Sequence, residues 1–236
     1  RTWKLKAGVV DSSPLSDTPR PGNAKFKKLT PVDPNSTNPY QLTEADRTVI
    51  GNTTPKFSGG FGLNATYKGF DLSMFFSYMY DFDVLNANKI MLTTWADNKD
   101  NNFLMDIASD KRWRNFDDMG NEIRYSPEIL AEFNKDATMW NPTSIGRPIS
   151  MSCAVEDGSF LRLSSATFGY TLPVAWTRKV GLNKVRFYVS GNNLFVLTGY
   201  SGYDPEVNIA TGLTPNIDYN RYPRSRTYTF GAQLTF

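Results

Sequence analysis

The stretch Arg226-Thr-Tyr-Thr-Phe-Gly-Ala-Gln-Leu-Thr-Phe236 decides the fold class of this chain. One face reads Tyr228, Phe230, Ala232, Leu234, Phe236, and the other reads Thr227, Thr229, Gly231, Gln233, Thr235. The alternation runs to the last residue, where a strand in water would fray. A transmembrane barrel strand needs this dyad period, apolar side chains toward lipid and polar ones toward the lumen. The expectation is an all-β chain of antiparallel strands from an outer-membrane barrel.

The same pattern recurs upstream. From 57 to 67 one face holds Phe57, Phe61, Leu63, Ala65 and Tyr67, against Ser58, Asn64 and Thr66. Lys68-Gly69 reads as a tight turn, because glycine accepts positive φ. The strand expected over 70–84 carries Phe70, Leu72, Met74, Phe76, Tyr78, Tyr80, Phe82 and Val84 on one face, with Asp71, Asp81 and Asp83 opposite. A one-residue slip would put the aspartates in lipid, so the register is well specified. Further strands are expected over 160–172, 184–194 and 226–236. In the first, the apolar positions shift from Leu161 and Leu163 to Phe168, Tyr170 and Leu172, which predicts a bulge near Ser164-Ser165.

Connection lengths orient the set. Lys68-Gly69 is minimal and 173–183 is short, with a helical turn expected near 174–180. Long loops are expected over 11–55, 86–157 and 198–224. Short periplasmic turns alternating with long extracellular loops are the barrel habit. Five or six strands cannot close a barrel, and open edges are not tolerated in lipid. The 236 residues are therefore expected to be one C-terminal segment of a larger wall.

Composition agrees. The chain is 40% hydrophobic and 14% aromatic, with 21% charged residues and a net charge of +3. That is no basic field of the kind that binds nucleic acid. No run approaches a spanning helix. With no histidine, a triad or zinc site that needs one is excluded within these residues. The single Cys153 cannot form an internal disulfide. The chain starts on Arg1 without a signal segment, which for a barrel protein suggests a mature or truncated chain.

Seven segments, in order, resemble the SusC/RagA family of TonB-dependent outer-membrane transporters. They are Pro21-Gly22-Asn-Ala-Lys-Phe26, Asp46-Arg47-Thr-Val-Ile-Gly51-Asn52, Pro55-Lys56-Phe57-Ser-Gly-Gly-Phe61, Asp157-Gly158-Ser159-Phe160-Leu161-Arg162-Leu163, Gly191-Asn192-Asn193-Leu194-Phe195, Tyr203-Asp204-Pro205-Glu206 and Tyr222-Pro223-Arg224-Ser225-Arg226. The resemblance implies a barrel of about 22 strands, a size at which the lumen is plugged. It also implies import of oligosaccharides or peptides, a SusD-like surface lipoprotein as lid, and energy from the TonB complex acting on an N-terminal part that lies outside this sequence. It implies residence in the outer membrane of a Gram-negative, Bacteroidetes-type bacterium, with no enzyme activity and no cofactor.

Candidate site residues follow from residue type. Trp95, Trp113, Tyr200, Tyr203 and Tyr219 lie in the long loops, where aromatic rings could stack on sugars, meet a lid, or pack the loop itself. Tyr125 and Trp140 share the first of those loops, and Asp218, Arg221 and Tyr222 the second. Asp33, Asn35 and Asp46 sit where the family often carries a calcium-like loop. Here Thr37, Asn38 and Pro39 depart from that pattern, so a polar loop is the simpler reading. Asp97, Asp100, Asp106, Asp110, Asp117 and Asp118 could suggest glycosidase carboxylates, but a charge-mixed, solvated loop explains them better. Asp71, Asp81, Asp83 and Arg186 are expected to line a hydrated lumen. The competing readings are a non-transporting outer-membrane adhesin or structural barrel, and a soluble carbohydrate-binding β-sandwich. The apolar rows from 57 to 84 argue against the second.

Overall fold

The structure is a computed structural model describing residues 21–24, 26–31, 35, 44–94, 102–107, 111–144, 150–206 and 216–236. The chain divides into two units, one of 51–86 with 155–236 and one of 1–50 with 87–154. Its strands are β1 (Phe57–Tyr67), β2 (Phe70–Tyr80), β3 (Asp83–Asn86), β4 (Val155–Asp157), β5 (Phe160–Thr171), β6 (Lys184–Thr198), β7 (Ile217–Asp218) and β8 (Thr227–Thr235). Its α-helices are α1 (Ala87–Met91), α2 (Pro127–Phe133) and α3 (Val174–Thr177). Among the described residues no helix is long and apolar enough to cross a membrane.

In the first unit, β1-β2-β5-β6-β8 form one five-stranded antiparallel sheet. The register sets like against like. Ala65, Leu72, Phe168, Val189 and Phe230 form one cross-strand row, and Tyr67, Phe70, Tyr170, Phe187 and Ala232 form the next. The rings of Phe61 and Phe76 stack at 4.9 Å, and Phe70 meets Tyr170 at 4.4 Å. On the opposite face Asn64, Ser73, Thr167, Ser190 and Thr229 form a row of one amide and four hydroxyls. Side chains alternate across a pleated strand, so this register separates an apolar face from a polar one over all five strands.

The turn and the bulge fall where the sequence places them. Lys68 (φ 47°) and Gly69 (φ 89°) both take left-handed backbone, the geometry of a two-residue type I′ hairpin. At the bulge Leu163 pairs with Phe76 while Ser165 pairs with the adjacent Phe75, leaving Ser164 over against β2. Its hydroxyl shares a 2.7 Å hydrogen bond with Ser77. The extra residue brings Leu161, Leu163, Phe168 and Tyr170 to one face despite their odd-to-even switch.

Two strand boundaries differ from expectation by more than one residue. The run 70–84 is not one strand. β2 stops at Tyr80, and Asp81 takes φ 59°. The Asp81 carboxylate pairs with Lys56, and its N–H donates to Ser159 Oγ at 2.8 Å. Beyond this break β3 joins a separate sheet, antiparallel to β4 and parallel to β7. Phe82 and Val84 thus leave the apolar row and pack with Phe160 and Tyr200 in a small buried core. Alternation could not show this, because a buried face and a lipid-facing one require the same residues. β6, expected to stop at 194, continues to Thr198, with Asn193 at φ 52° taking up the irregularity.

The second unit has its own small core of Trp113, Ile123 and Leu130, with Ala137 against it. α2 opens with Pro127, whose missing N–H costs nothing in a first turn, and Glu128, whose charge suits that end. The buried Asn134 amide closes the arrangement. Its Oδ1 accepts from Arg114 N at 2.6 Å, and its Nδ2 donates to the Arg114 and Leu130 carbonyls.

Candidate functional site

The polar face of the wall carries one ion pair that bridges strands which are not neighbours. Arg186 on β6 donates from Nε to Asp71 Oδ1 at 2.9 Å and from Nη2 to Oδ2 at 2.5 Å. Asp71 is on β2, so the guanidinium crosses β5, where the residue beneath it is Gly169. The same side chain lies 5.2 Å from the Tyr188 ring, which rests on Gly231 of β8. Two glycines thus give two large side chains room to lie flat along the sheet.

At the other end of β5 a second charged group is buried. Arg162 donates to Asp204 Oδ1 at 2.5 Å, and its Nε lies 3.2 Å from Glu206 Oε2, an ionic contact off the hydrogen-bond line. Asp204 Oδ1 also accepts from the Glu206 N–H. Arg224 donates to Glu206 Oε1 at 2.6 Å. Nearby the Tyr200 hydroxyl donates to Asp218 Oδ2 at 2.7 Å, and Glu156 accepts from Ser201 N and Oγ. Burial first, and the bond to Asp218 next, hold the Tyr200 phenol well above its usual range. These contacts bring Asp157-to-Leu163, Tyr203-to-Glu206 and Tyr222-to-Arg226 together, three of the segments quoted for the resemblance.

The candidate aromatics separate by placement. Trp113 is 4% exposed and Tyr200 is 6% exposed, both inside cores, so neither ring offers a face to a ligand in this arrangement. Tyr203 is 83% exposed and Tyr219 is half-exposed, so both stay available for contact. Trp95 and Asp33 lie outside the described residues. Asn35 is exposed. Asp46 is engaged otherwise than in a calcium loop: its carboxylate accepts from Leu29 N, Thr30 N and Thr30 Oγ1 at 2.7–2.8 Å, with Lys28 at 3.5 Å. Among the described residues no group of three or more acidic, His or Cys side chains is placed to hold a metal ion.

Other acidic residues also have structural partners. Asp83 accepts from Asn52 N at 2.6 Å in the second sheet, so neither it nor Asp81 lies on the polar face of the wall. Asp117 ties a five-residue turn by accepting from Met119 N, Asn121 N and Asn121 Nδ2. The Asn121 contacts hold its carboxyl below the usual range, the wrong direction for a general acid. Sequence reading missed the Arg162 cluster. Its members were visible in the quoted segments, but nothing in their spacing pairs residues 42 positions apart.

A sheet with one apolar and one polar face, closed at one end by a tight turn and at the other by long folded loops, is a segment of membrane barrel wall. Relatives place it further. The chain is 33% identical over 228 residues to TonB-dependent receptor P3 of Formosa agariphila, a match covering 94% of the chain and 20% of that protein. It is 34% identical over 84 residues to TonB-dependent receptor SusC of Bacteroides thetaiotaomicron, covering 35% of the chain and 8% of SusC. Among solved structures it superposes on the RagAB peptide transporter with a TM-score of 0.59 and 27% identity, covering 78% of the chain and 17% of the other. No family model matches. The chain is a partial TonB-dependent receptor of the SusC/RagA type, spanning about a fifth of the length of the first relatives it matches.

Proposed function

We propose that these residues form part of the wall and extracellular mouth of an outer-membrane importer energised through TonB. The observation that carries this reading is the two-faced sheet, with unbroken apolar rows on one side and paired charges and hydroxyls on the other. The apolar rows suit outer-membrane lipid, and the polar face suits a hydrated passage. The long loops beyond β2 and β6 then lie on the cell surface, and the short connection beyond β5 lies with the Lys68-Gly69 turn on the periplasmic side. A SusD-like lipoprotein would meet the long loops there, and the substrate would be an oligosaccharide or a peptide, the second in keeping with the RagAB peptide transporter on which the chain superposes.

The test is deletion of the gene for the intact receptor, with uptake of labelled oligosaccharide and peptide mixtures compared with and without TonB. The expected result is loss of TonB-dependent uptake of one class and co-purification of a surface lipoprotein with the receptor. Unchanged uptake of both classes, with the protein still in the outer membrane, would favour the adhesin reading. Recovery in the soluble fraction would defeat both.

A further inference from the structure

We propose that Arg162, Asp204, Glu206 and Arg224 form an asymmetric clasp, with one limb of the loop between β6 and β8 fixed and the other releasable. The two arms differ in their surroundings. The Arg162 and Asp204 side chains are 4% and 7% exposed, whereas those of Arg224 and Glu206 are 51% and 23% exposed. Salt screens an exposed pair and leaves a buried one nearly untouched.

The limbs that the arms hold differ in the same sense. The outgoing limb, 199–206, buries Tyr200, Asp204 and Pro205 and is tied by Tyr200 to Asp218. The returning limb, 219–226, has no regular structure and exposes Tyr219, Tyr222 and Arg224. It reaches the cluster through the Arg224 side chain on Glu206 and a long 3.4 Å contact from Arg224 N to Asp204. Charge alternates along Arg162, Asp204 or Glu206, and Arg224, so Glu206 retains its approach to Arg162 when Arg224 swings away. Release therefore strands no buried charge, which is the usual cost of breaking a buried pair. Opening would free the limb as far as Ser225, whose carbonyl accepts from Asn193 Nδ2 on β6 at 3.2 Å, while β5 and β6 stay joined. That this happens at an import mouth rests on the function proposed above, but the clasp itself does not.

The experiment uses the intact receptor in detergent, its other cysteines replaced, with a nitroxide on Tyr203→Cys or Tyr222→Cys. At low salt both labels, on exposed positions, should show a slow component set by the ordered backbone beneath them. Raising salt to about 1 M shrinks the Debye length to about 3 Å. The Tyr222→Cys label should then lose most of that component, and the Tyr203→Cys label should keep it. Arg224→Gln should reproduce the salt effect at low salt, and Arg162→Gln should loosen both positions. A Tyr222→Cys label that stays immobilised in salt and in Arg224→Gln overturns the releasable arm. Equal loosening of both labels by salt overturns the asymmetry. Should Arg162→Gln fail to fold, the salt and Arg224→Gln results decide alone. None of these readings depends on uptake, so import could fail while the clasp stands, and the reverse.

Discussion

Asp71 and Arg186 are bonded to each other across an intervening strand, and Gly169 is the residue that lets them meet. A Cβ at Gly169 would fall 2.5 Å from Arg186 Nη2 and 2.6 Å from Asp71 Oδ1. Both are ends of flexible side chains, so the pair would shift rather than the backbone. Gly169→Ala is expected to lower the temperature at which the folded barrel band converts to the unfolded one on gels. Asp71→Asn should do the same. In the Asp71→Asn background, Gly169→Ala should add little, because both changes remove one interaction. Full additivity would show that Gly169→Ala does not act through the bridge.

Gly231 makes a similar accommodation for an aromatic ring. A Cβ there would sit 2.4 Å from Tyr188 Cζ. Gly231→Val should cost about 1–3 kcal/mol, the range for overpacking a filled site. Tyr188→Ala should relieve most of that cost, as judged by denaturant unfolding of the receptor in vesicles.

Leu72 and Ser73 are sequence neighbours on opposite faces of the wall. Leu72→Lys places an ammonium in the apolar row close to the Lys68-Gly69 turn and should destabilise the inserted barrel by about 1–3 kcal/mol, between the costs of a lysine at the bilayer edge and at its midplane. Ser73→Lys should be far milder. Equal effects of the two changes in vesicle folding titrations would contradict the assignment of faces.

Trp113 and Tyr203 look equivalent in sequence and should differ as mutants. Trp113→Ala empties the core of the second unit and should cost about 3–5 kcal/mol of local stability, read as loss of hydrogen-exchange protection around Ile123 and Leu130. Tyr203→Ala should leave exchange unchanged. If binding of any ligand is weakened, Tyr203→Ala should weaken it without unfolding the loop.

Tyr200 provides a pH test. Its folded pKa is raised, so the phenol stays protonated while the unfolded chain ionises near pH 10. The stability it contributes is complete below about pH 10 and falls as pH rises further, because only the unfolded state releases the proton. Tyr200→Phe should lose about 1–3 kcal/mol at neutral pH, leaving Asp218 one donor short. It should also flatten the alkaline decline of exchange protection around Phe82 and Phe160. An identical decline in both proteins would remove Tyr200 as its cause.

The wall was the legible part of this chain. Its register follows from residue type alone: the apolar positions of β1, β2 and β8 match residue for residue, and the odd-to-even shift of apolar residues in β5 is enough to mark Ser164. The loop end was not legible, for two physical reasons. Phe82 and Val84 continue the alternation of β2, yet they are buried against protein, and both environments reward the same side chains. Trp113 and Tyr200 look like ligand-stacking rings because they sit in long polar loops, but a loop that folds on itself needs aromatics for its own interior. The pairing of Arg162 with Asp204 depends on how a connection of several dozen residues returns, which no local pattern records.

The break at Asp81 has an engineering corollary. One left-handed residue ends the membrane-facing ladder, and the chain beyond it has its own interior in Phe82, Val84, Phe160 and Tyr200. That interior draws on both sides of the long loop, so exchanging 81–159 as a block would part Phe82 and Val84 from Phe160 and Tyr200. The residues between, 87–154, belong to the other unit and, among those described, contribute nothing to that core. Chimaeras with seams after Asn86 and before Val155 should therefore keep the four-residue core whole, and seams at Tyr80 and Phe160 should cut through it.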